Sequence, residues 1–354
     1  MSDTGLDAVP VIDVGPLVRG KEASEAVPVA RLLDAACRAN GFFYVIEHGV
    51  DEELRSRLEA SARRFFAKDL DTKNAIRMAR GGRAWRGYFP VGAELTSGRP
   101  DLKEGIYFGA DLAEDDPRVA AGTPLHGRNL FPADPPELRD LTTLYVDQVT
   151  RLGHALARGL SLGLGLGETY LRDRYTRDPL VLFRIFHYPP MPADSGQLPW
   201  SVGEHTDYGL LTLLSQDDAG GLEVRSRSRW VPAPPIPGTL VCNIGDMLDR
   251  MTGGLYRSTP HRVRNLSGRG RISMPFFFDP AFEADVAPID HGRLIADDRA
   301  DRWDRASVHT FAGTYGDYLL GKVAKVFPEL ERTALSSGVG PGTERSSVPP
   351  ASAR

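Results

Sequence analysis

The chain has 354 residues, 41% of them hydrophobic and 25% charged, ordinary proportions for a globular protein long enough to bury a substantial core. Its 43 Lys and Arg against 47 Asp and Glu give a formal charge of -4, which offers no basic excess for neutralising nucleic-acid phosphates. No run approaches the roughly 18 apolar residues of a membrane span, and residues 1–8 lack a signal-peptide pattern, so a cytoplasmic location is expected.

In chain order, Val9 to Val14 reads as an edge strand because Pro10 sits within a β-branched run. A helix is expected over Ala26 to Ala39, with Pro28 in its first turn. Gly41 ends it, and the aromatic and β-branched run Phe42 to Ile46 predicts a strand. Leu54, Leu58, Phe65 and Phe66 behind an acidic start predict a second helix over Asp51 to Ala67. Residues 80–136 are rich in Gly, Pro, Arg and Asp with little periodicity, the pattern of a functional or core-wrapping connection. Leu138 to Leu162 carries a long amphipathic helix that the glycines near 163–167 close.

Beyond residue 180 the pattern becomes β. Strands are expected at Val181–Ile185, Leu210–Leu214, Leu222–Arg225, Thr239–Ile244, His261–Leu266 and Arg271–Phe278, separated by turn-rich segments. A helical pattern returns over Arg302 to Phe327, and the Ser, Gly, Pro and Ala composition from Ser336 onward predicts a disordered tail at 336–354. The expected fold is mainly β with flanking helices, a sandwich or jelly roll. Residues 1–335 are expected to form a single catalytic domain: a helical, loop-rich part to 180, a β core over about 180–285, and the last helix. Cys37 and Cys242 stand 205 positions apart in apolar surroundings and read as core thiols, in keeping with a reducing compartment.

The chemistry concentrates in Glu204-His205-Thr206-Asp207-Tyr208-Gly209. On an extended backbone His205 and Asp207 point to one face, and an imidazole beside a carboxylate suits iron, manganese or zinc. His261 is the candidate third ligand; two histidines and one carboxylate leave positions open on iron for a co-substrate and oxygen. Arg271 and Ser273 also share a face, offering two charge-assisted bonds and a hydroxyl to a carboxylate, to which Tyr188 can add another hydroxyl. The other arginines nearby, Arg262, Arg264 and Arg269, read as solvated positions around a hairpin.

Five segments in order, His187-Tyr188-Pro189-Pro190, His205 to Leu214, Asn243-Ile244-Gly245-Asp246, Tyr256 to Val263 and Arg271-Ile272-Ser273, resemble the iron- and 2-oxoglutarate-dependent dioxygenases of the isopenicillin N synthase-like family. Pro10-Val11-Ile12-Asp13 and the stretch from Gly41 to Gly49 match the family's opening, and the resemblance covers roughly residues 9–330. It implies a distorted double-stranded β-helix, Fe(II) held by His205, Asp207 and His261, and 2-oxoglutarate held by Arg271 and Ser273 with Tyr188 in contact. Phe186 stands where many relatives carry asparagine, which leaves room for Arg184 or His187 to help with the co-substrate. The implied reaction uses O2 to hydroxylate, desaturate or cyclise a small organic molecule, releasing succinate and CO2.

Candidate substrate contacts are Arg86, Tyr88, Lys103, Glu104 and Tyr107 in the loop-rich region, and Tyr208 and Phe276 near the metal strands. They suit a small molecule with polar and flat or apolar parts: an amino acid, a nucleobase, a natural-product intermediate of secondary metabolism or a flavonoid-like scaffold. Two other enzyme readings stay open, a 2-oxoglutarate-independent iron oxidase of isopenicillin N synthase type and an ethylene-forming variant. So does a non-catalytic small-molecule binding module on the same fold. Neither nucleic acid nor membrane is an expected partner, and the sequence does not determine the oligomeric state.

Overall fold

The β-branched run Val11–Asp13 (β1) and the aromatic run Phe42–Ile46 (β2) pair in parallel, with the helices Gly15–Arg19 and Ala23–Ala39 between them. The second helix begins earlier than its sequence suggests, so Pro28 lies inside it rather than in the first turn. The computed structural model describes residues 8–327 except 21, 97, 191–199, 227–228, 290–301 and 303; the expected tail at 336–354 lies outside the described residues.

The loop-rich region holds more regular structure than its composition suggests. It contributes Gly87–Phe89 (β3), the short hairpin Leu95–Thr96 (β4) with Arg99–Pro100 (β5), and Glu104–Gly109 (β6). Every residue of β3 and β6 is buried. A strand covered on both faces has no reason to alternate apolar with polar residues, so these two leave no period-two signal.

The remaining strands are Leu180–Tyr188 (β7), Val202–His205 (β8), Leu211–Gln216 (β9), Leu222–Ser226 (β10), Arg229–Pro232 (β11), Leu240–Ile244 (β12), His261–Val263 (β13) and Arg271–Asp279 (β14). They assemble into an eight-stranded sheet, β1-β2-β12-β9-β14-β7-β6-β3, and a four-stranded sheet, β11-β10-β13-β8. Strands from both halves of the chain thus share the large sheet. The expected mainly β fold with flanking helices and a double-stranded β-helix core is what the structure shows.

Alternation on β7 and β14 assigns each face of the large sheet its task. Phe183, Ile185, Met274, Phe276 and Phe278 point outward into a core shared with the helix Leu138–Gly163. There the rings of Tyr145 and Phe183 lie 5.0 Å apart, and His154 meets Phe278 edge-on at 4.9 Å. Arg184, Phe186, Tyr188, Arg271, Ser273 and Phe277 point the other way, into a cavity between the sheets.

The last helix is Tyr315–Val326, thirteen positions later than its expected start at Arg302. A capping box between Thr314 and Asp317 sets its beginning, after a separate short turn at Val308–Thr310. It lies over the cavity mouth: Tyr315 donates a hydrogen bond to Asp279 on β14, and the Tyr318 hydroxyl donates to Asp246 at 2.7 Å.

The long helix approaches the sheet closely at Gly153, where a Cβ would stand 2.4 Å from the Phe278 ring. Gly153→Ala is expected to overpack this contact and lower stability by about 1–3 kcal/mol, read as a shift of the urea unfolding midpoint at unchanged slope.

Candidate active site

The small sheet carries the two histidines. β13 runs antiparallel to β8 with His261 opposite His205, and their ring centroids are 4.3 Å apart. The chain turns after β8 to present Asp207, and one ligand atom from each of the three residues lies within 4.8 Å of the others. His205 Nδ1 is 2.8 Å from the Gly203 carbonyl and His261 Nδ1 is 3.3 Å from that of Thr259. Those contacts place a proton on each Nδ1 and leave Nε2 as the ligating nitrogen.

Asp207 is oriented from the large sheet. Its Oδ2 accepts hydrogen bonds from the Thr212 hydroxyl on β9 at 2.6 Å and from the Asn243 amide on β12 at 2.7 Å. Its Oδ1 faces His261 Nε2 at 3.8 Å. The Asp207 carbonyl also accepts from the Asp246 backbone N–H at 2.7 Å, bracing the turn. Burial, then the charge of His205, lowers His261 to about 4, so its imidazole is neutral near pH 7 and free to bind a metal. Burial alone would raise the Asp207 carboxyl, but the two histidines and its hydrogen bonds hold it below its ordinary value. Two histidines and one carboxylate are the donor set of a facial triad, which would leave positions open on a bound metal, and all three line the cavity described next. Thr212 and Asn243 are not among the sequence candidates; the motif containing Asn243 is the signal that could have found them.

The cavity between the sheets has a volume of about 320 Å³. At one end Arg271 is completely buried. Its Nε donates to the Gly220 carbonyl at 2.7 Å, whereas Nη1 and Nη2 find no partner among the described residues. The guanidinium carbon lies 4.7 Å from the centroid of the Tyr188 ring, and the Tyr188 hydroxyl is 3.3 Å from Ser273 Oγ. A buried cation with two unpaired donors is costly unless an anion meets it, and the paired nitrogens beside two hydroxyls match a carboxylate.

Of the candidate substrate contacts, Tyr208 lines the cavity. Phe276 does not: it faces the helix-side core, and its neighbour Phe277 takes the inner position. Tyr88 and Glu104 belong to a polar network behind the wall. There Glu104 accepts from Tyr88 at 2.7 Å, from Lys73 at 2.8 Å and from His187, whose ring nitrogen is 2.8 Å away. His187 therefore points away from Tyr188 and the cavity. Arg86 is buried elsewhere, donating to the Leu125 carbonyl at 2.8 Å, and burial lowers it to about 10. Tyr107 stands behind the lining and donates to Glu94 at 2.7 Å. Lys103 lines the cavity and pairs with Glu94 at 2.8 Å and with Asp101. Glu94 is absent from the sequence candidates. Burial would raise its carboxyl, yet Lys103 and Arg184 hold it below the usual value.

Two protein-family models match the chain, one described as the N-terminal region of non-haem dioxygenase in morphine synthesis over residues 9–134, the other as the 2OG-Fe(II) oxygenase superfamily over 179–280. The chain belongs to the 2OG-Fe(II) oxygenase superfamily. A probable iron/ascorbate oxidoreductase of Dictyostelium discoideum is 48% identical to this oxygenase, across 93% of this chain and 98% of the relative. A 1-aminocyclopropane-1-carboxylate oxidase of Dictyostelium mucoroides is 36% identical, across 92% and 96%. A homoarginine-6-hydroxylase of Glycine max is 35% identical, across 92% and 99%. Among solved structures, a full-length Neurospora crassa protein in complex with alpha-KG and 5-formyluracil aligns over 92% of this chain and 98% of its own, with a TM-score of 0.72 and 26% identity. The 2OG-Fe(II) oxygenase described here is an enzyme that uses Fe(II), 2-oxoglutarate and O2 to oxidise a small organic substrate. Among its described residues no helix is long and apolar enough to cross a membrane.

The Thr212 hydroxyl contributes directional support to Asp207 without touching the metal position. Thr212→Val keeps the side-chain shape and removes that bond, and is expected to weaken Fe(II) binding on the order of 10-fold in an anaerobic titration.

Proposed function

We propose that this enzyme hydroxylates an amino acid, with 2-oxoglutarate held between the triad and Arg271. The observation that carries the co-substrate site is the pair of unpaired, fully buried nitrogens of Arg271, converging with Ser273 and Tyr188 at one end of the cavity. In this reading Arg271 takes the distal carboxylate through Nη1 and Nη2, while Ser273 and Tyr188 donate their hydroxyls. His205, Asp207 and His261 hold the iron. Fe(II) and 2-oxoglutarate, when bound, supply the activation of O2 and the reducing electrons, with succinate and CO2 as co-products. Val202, Leu214, Leu222 and Val263 wall the cavity with apolar surface and keep water from the reacting centre.

The amino-acid reading has two supports. Relatives covering nearly the whole chain are named for 1-aminocyclopropane-1-carboxylate and for homoarginine. The cavity also presents buried groups of both signs, Glu94 beside Lys103 and Arg184, which suits a zwitterion. L-homoarginine is therefore the first substrate to try. Residues 8–327 act as one catalytic unit in this proposal, since β1 and β2 join the same sheet as β9 and β12. A cytoplasmic setting agrees with two free, buried cysteines.

The test is an anaerobic visible titration of apo-protein with Fe(II), then with 2-oxoglutarate. A charge-transfer band is expected only after both additions. Arg271→Ala should weaken 2-oxoglutarate by about 3 kcal/mol, on the order of 100-fold, through loss of a charge-assisted pair. Succinate release should rise on adding L-homoarginine. Iron binding with no band on adding 2-oxoglutarate would transfer Arg271 and Ser273 to the carboxylate of a substrate, as in the 2-oxoglutarate-independent oxidases.

A further inference from the structure

Arg271 is aimed through its own Nε. That nitrogen donates to the Gly220 carbonyl at 2.7 Å, and because a guanidinium is planar, fixing this edge fixes where Nη1 and Nη2 point. The aim therefore depends on what holds Gly220. Residues 217–221 form a turn between the end of β9 at Gln216 and the start of β10 at Leu222. Gly220 and Gly221 have φ of 71° and 92°, and a Cβ at Gly221 would stand 2.0 Å from the Arg264 carbonyl oxygen.

One carboxylate clamps this turn to the strand that carries Arg271. Asp217 Oδ1 accepts from the Ala219 backbone N–H at 3.0 Å, which folds the turn. Its Oδ2 accepts from the N–H of Ile272, next to Arg271 in the chain, at 2.7 Å. The Asp217 N–H donates back to the Ile272 carbonyl at 3.2 Å. Arg63, on the helix Glu52–Phe66, completes the clamp: Nη2 donates to Asp217 Oδ2 at 2.5 Å and Nη1 to the Gly270 carbonyl at 3.0 Å. The backbone on both sides of Arg271 and the turn that holds its side chain thus meet at Asp217, directly or through Arg63. The Asp217 side chain is 2% exposed, and a carboxylate tolerates such burial only among donors. Reversing the chain does not require it, since the two glycines already supply the turn.

We infer that Asp217 and Arg63 are positioning residues for the co-substrate. Through the Gly220 carbonyl and the backbone beside Arg271, they aim Nη1 and Nη2 at the distal carboxylate of 2-oxoglutarate. Neither residue lines the cavity. Asparagine at 217 keeps the shape but replaces one acceptor with an amide that itself donates, against N–H groups that also donate. The turn then loosens, the Gly220 carbonyl moves and the fork loses its direction. His205, Asp207 and His261 keep their own partners.

The inference rests on the 2-oxoglutarate reading above, and one experiment separates the two. Wild type, Asp217→Asn, Arg63→Gln, Arg271→Ala and the D217N/R271A double variant are loaded anaerobically with Fe(II). Each is titrated with 2-oxoglutarate and with 2-oxobutyrate, which keeps the chelating 2-oxo acid and lacks the distal carboxylate. The charge-transfer band reports binding of either. D217N should lose on the order of 10-fold in affinity for 2-oxoglutarate and R63Q a smaller amount, while both bind 2-oxobutyrate as wild type does. In air, the D217N defect should appear in KM for 2-oxoglutarate with kcat preserved. Adding D217N to R271A should weaken binding no further, because the fork it aims is gone. Arg63 is half-exposed on its helix, so R63Q carries the test if D217N fails to fold. Equal losses for the two acids, an additive double variant, or unchanged 2-oxoglutarate affinity in the single variants overturns the assignment and leaves the 2-oxoglutarate reading standing. A wild type that forms no band with 2-oxoglutarate overturns that reading, and this assignment with it.

Discussion

The site depends on one buried ion. Asp207 leaves the small sheet immediately after β8, and the groups that satisfy its second oxygen, Thr212 and Asn243, belong to two adjacent strands of the large sheet. Taking a carboxylate out of water costs several kcal/mol unless bonds replace the lost hydration. Here two short bonds do so on one oxygen, and the other oxygen is left toward the histidines. The same bonds tie the two sheets together at the level of the metal. Ligand geometry and the spacing of the sheets are therefore one constraint, which makes Thr212 and Asn243 part of the active site although neither is a ligand.

The second constraint is strand alternation. β7 and β14 pair over most of their length, with Arg271 opposite Tyr188 and Ser273 opposite Phe186. Because both strands change face at each residue, every inner pair brings two cavity groups side by side and every outer pair adds to the helix-side core. The end of the cavity that holds Arg271, Ser273 and Tyr188 is thus assembled by pairing alone. Moving β14 by one residue would send Arg271 into the packing around Tyr145 and Phe183, where an unpaired guanidinium could not be satisfied. The aromatic outer face fixes the register, and the register delivers the polar inner one.

This explains which parts are readable from sequence. Two-residue spacing is a local property, so His205 with Asp207 and Arg271 with Ser273 can be placed on common faces without knowing the fold. The strands after residue 180 and the long helix carry their periods openly for the same reason. Phe276 falls on the other side from the one expected: counting by twos from Arg271 and Ser273 reaches Phe277, a parity that the aromatic run Phe276-Phe277-Phe278 obscures when its members are read one by one. β3 and β6 are hidden because burial on both faces removes alternation. Glu94 and Lys103 belong to a stretch that reads as a functional or core-wrapping connection with little periodicity, and only the closure of the sheets makes them a buried ion pair. The start of the last helix is set by its capping box, a local signal at Thr314 and Asp317 that the broader helical pattern obscures.

Two buried arginines show how burial becomes informative. Among the described residues, Arg86 and Arg271 both have guanidinium nitrogens without protein partners. Burial by itself would assign both to ligands, and for Arg86 that would be wrong. Its side chain presses against Gly109, where a Cβ would stand 2.1 Å from Nη2, and it bonds the Leu125 carbonyl away from the cavity. Arg271 differs because its donors face the cavity and its neighbours, the Tyr188 ring and the Gly220 carbonyl, restrict its orientation. An unsatisfied buried cation marks a binding site when it is both fixed and given space for a partner.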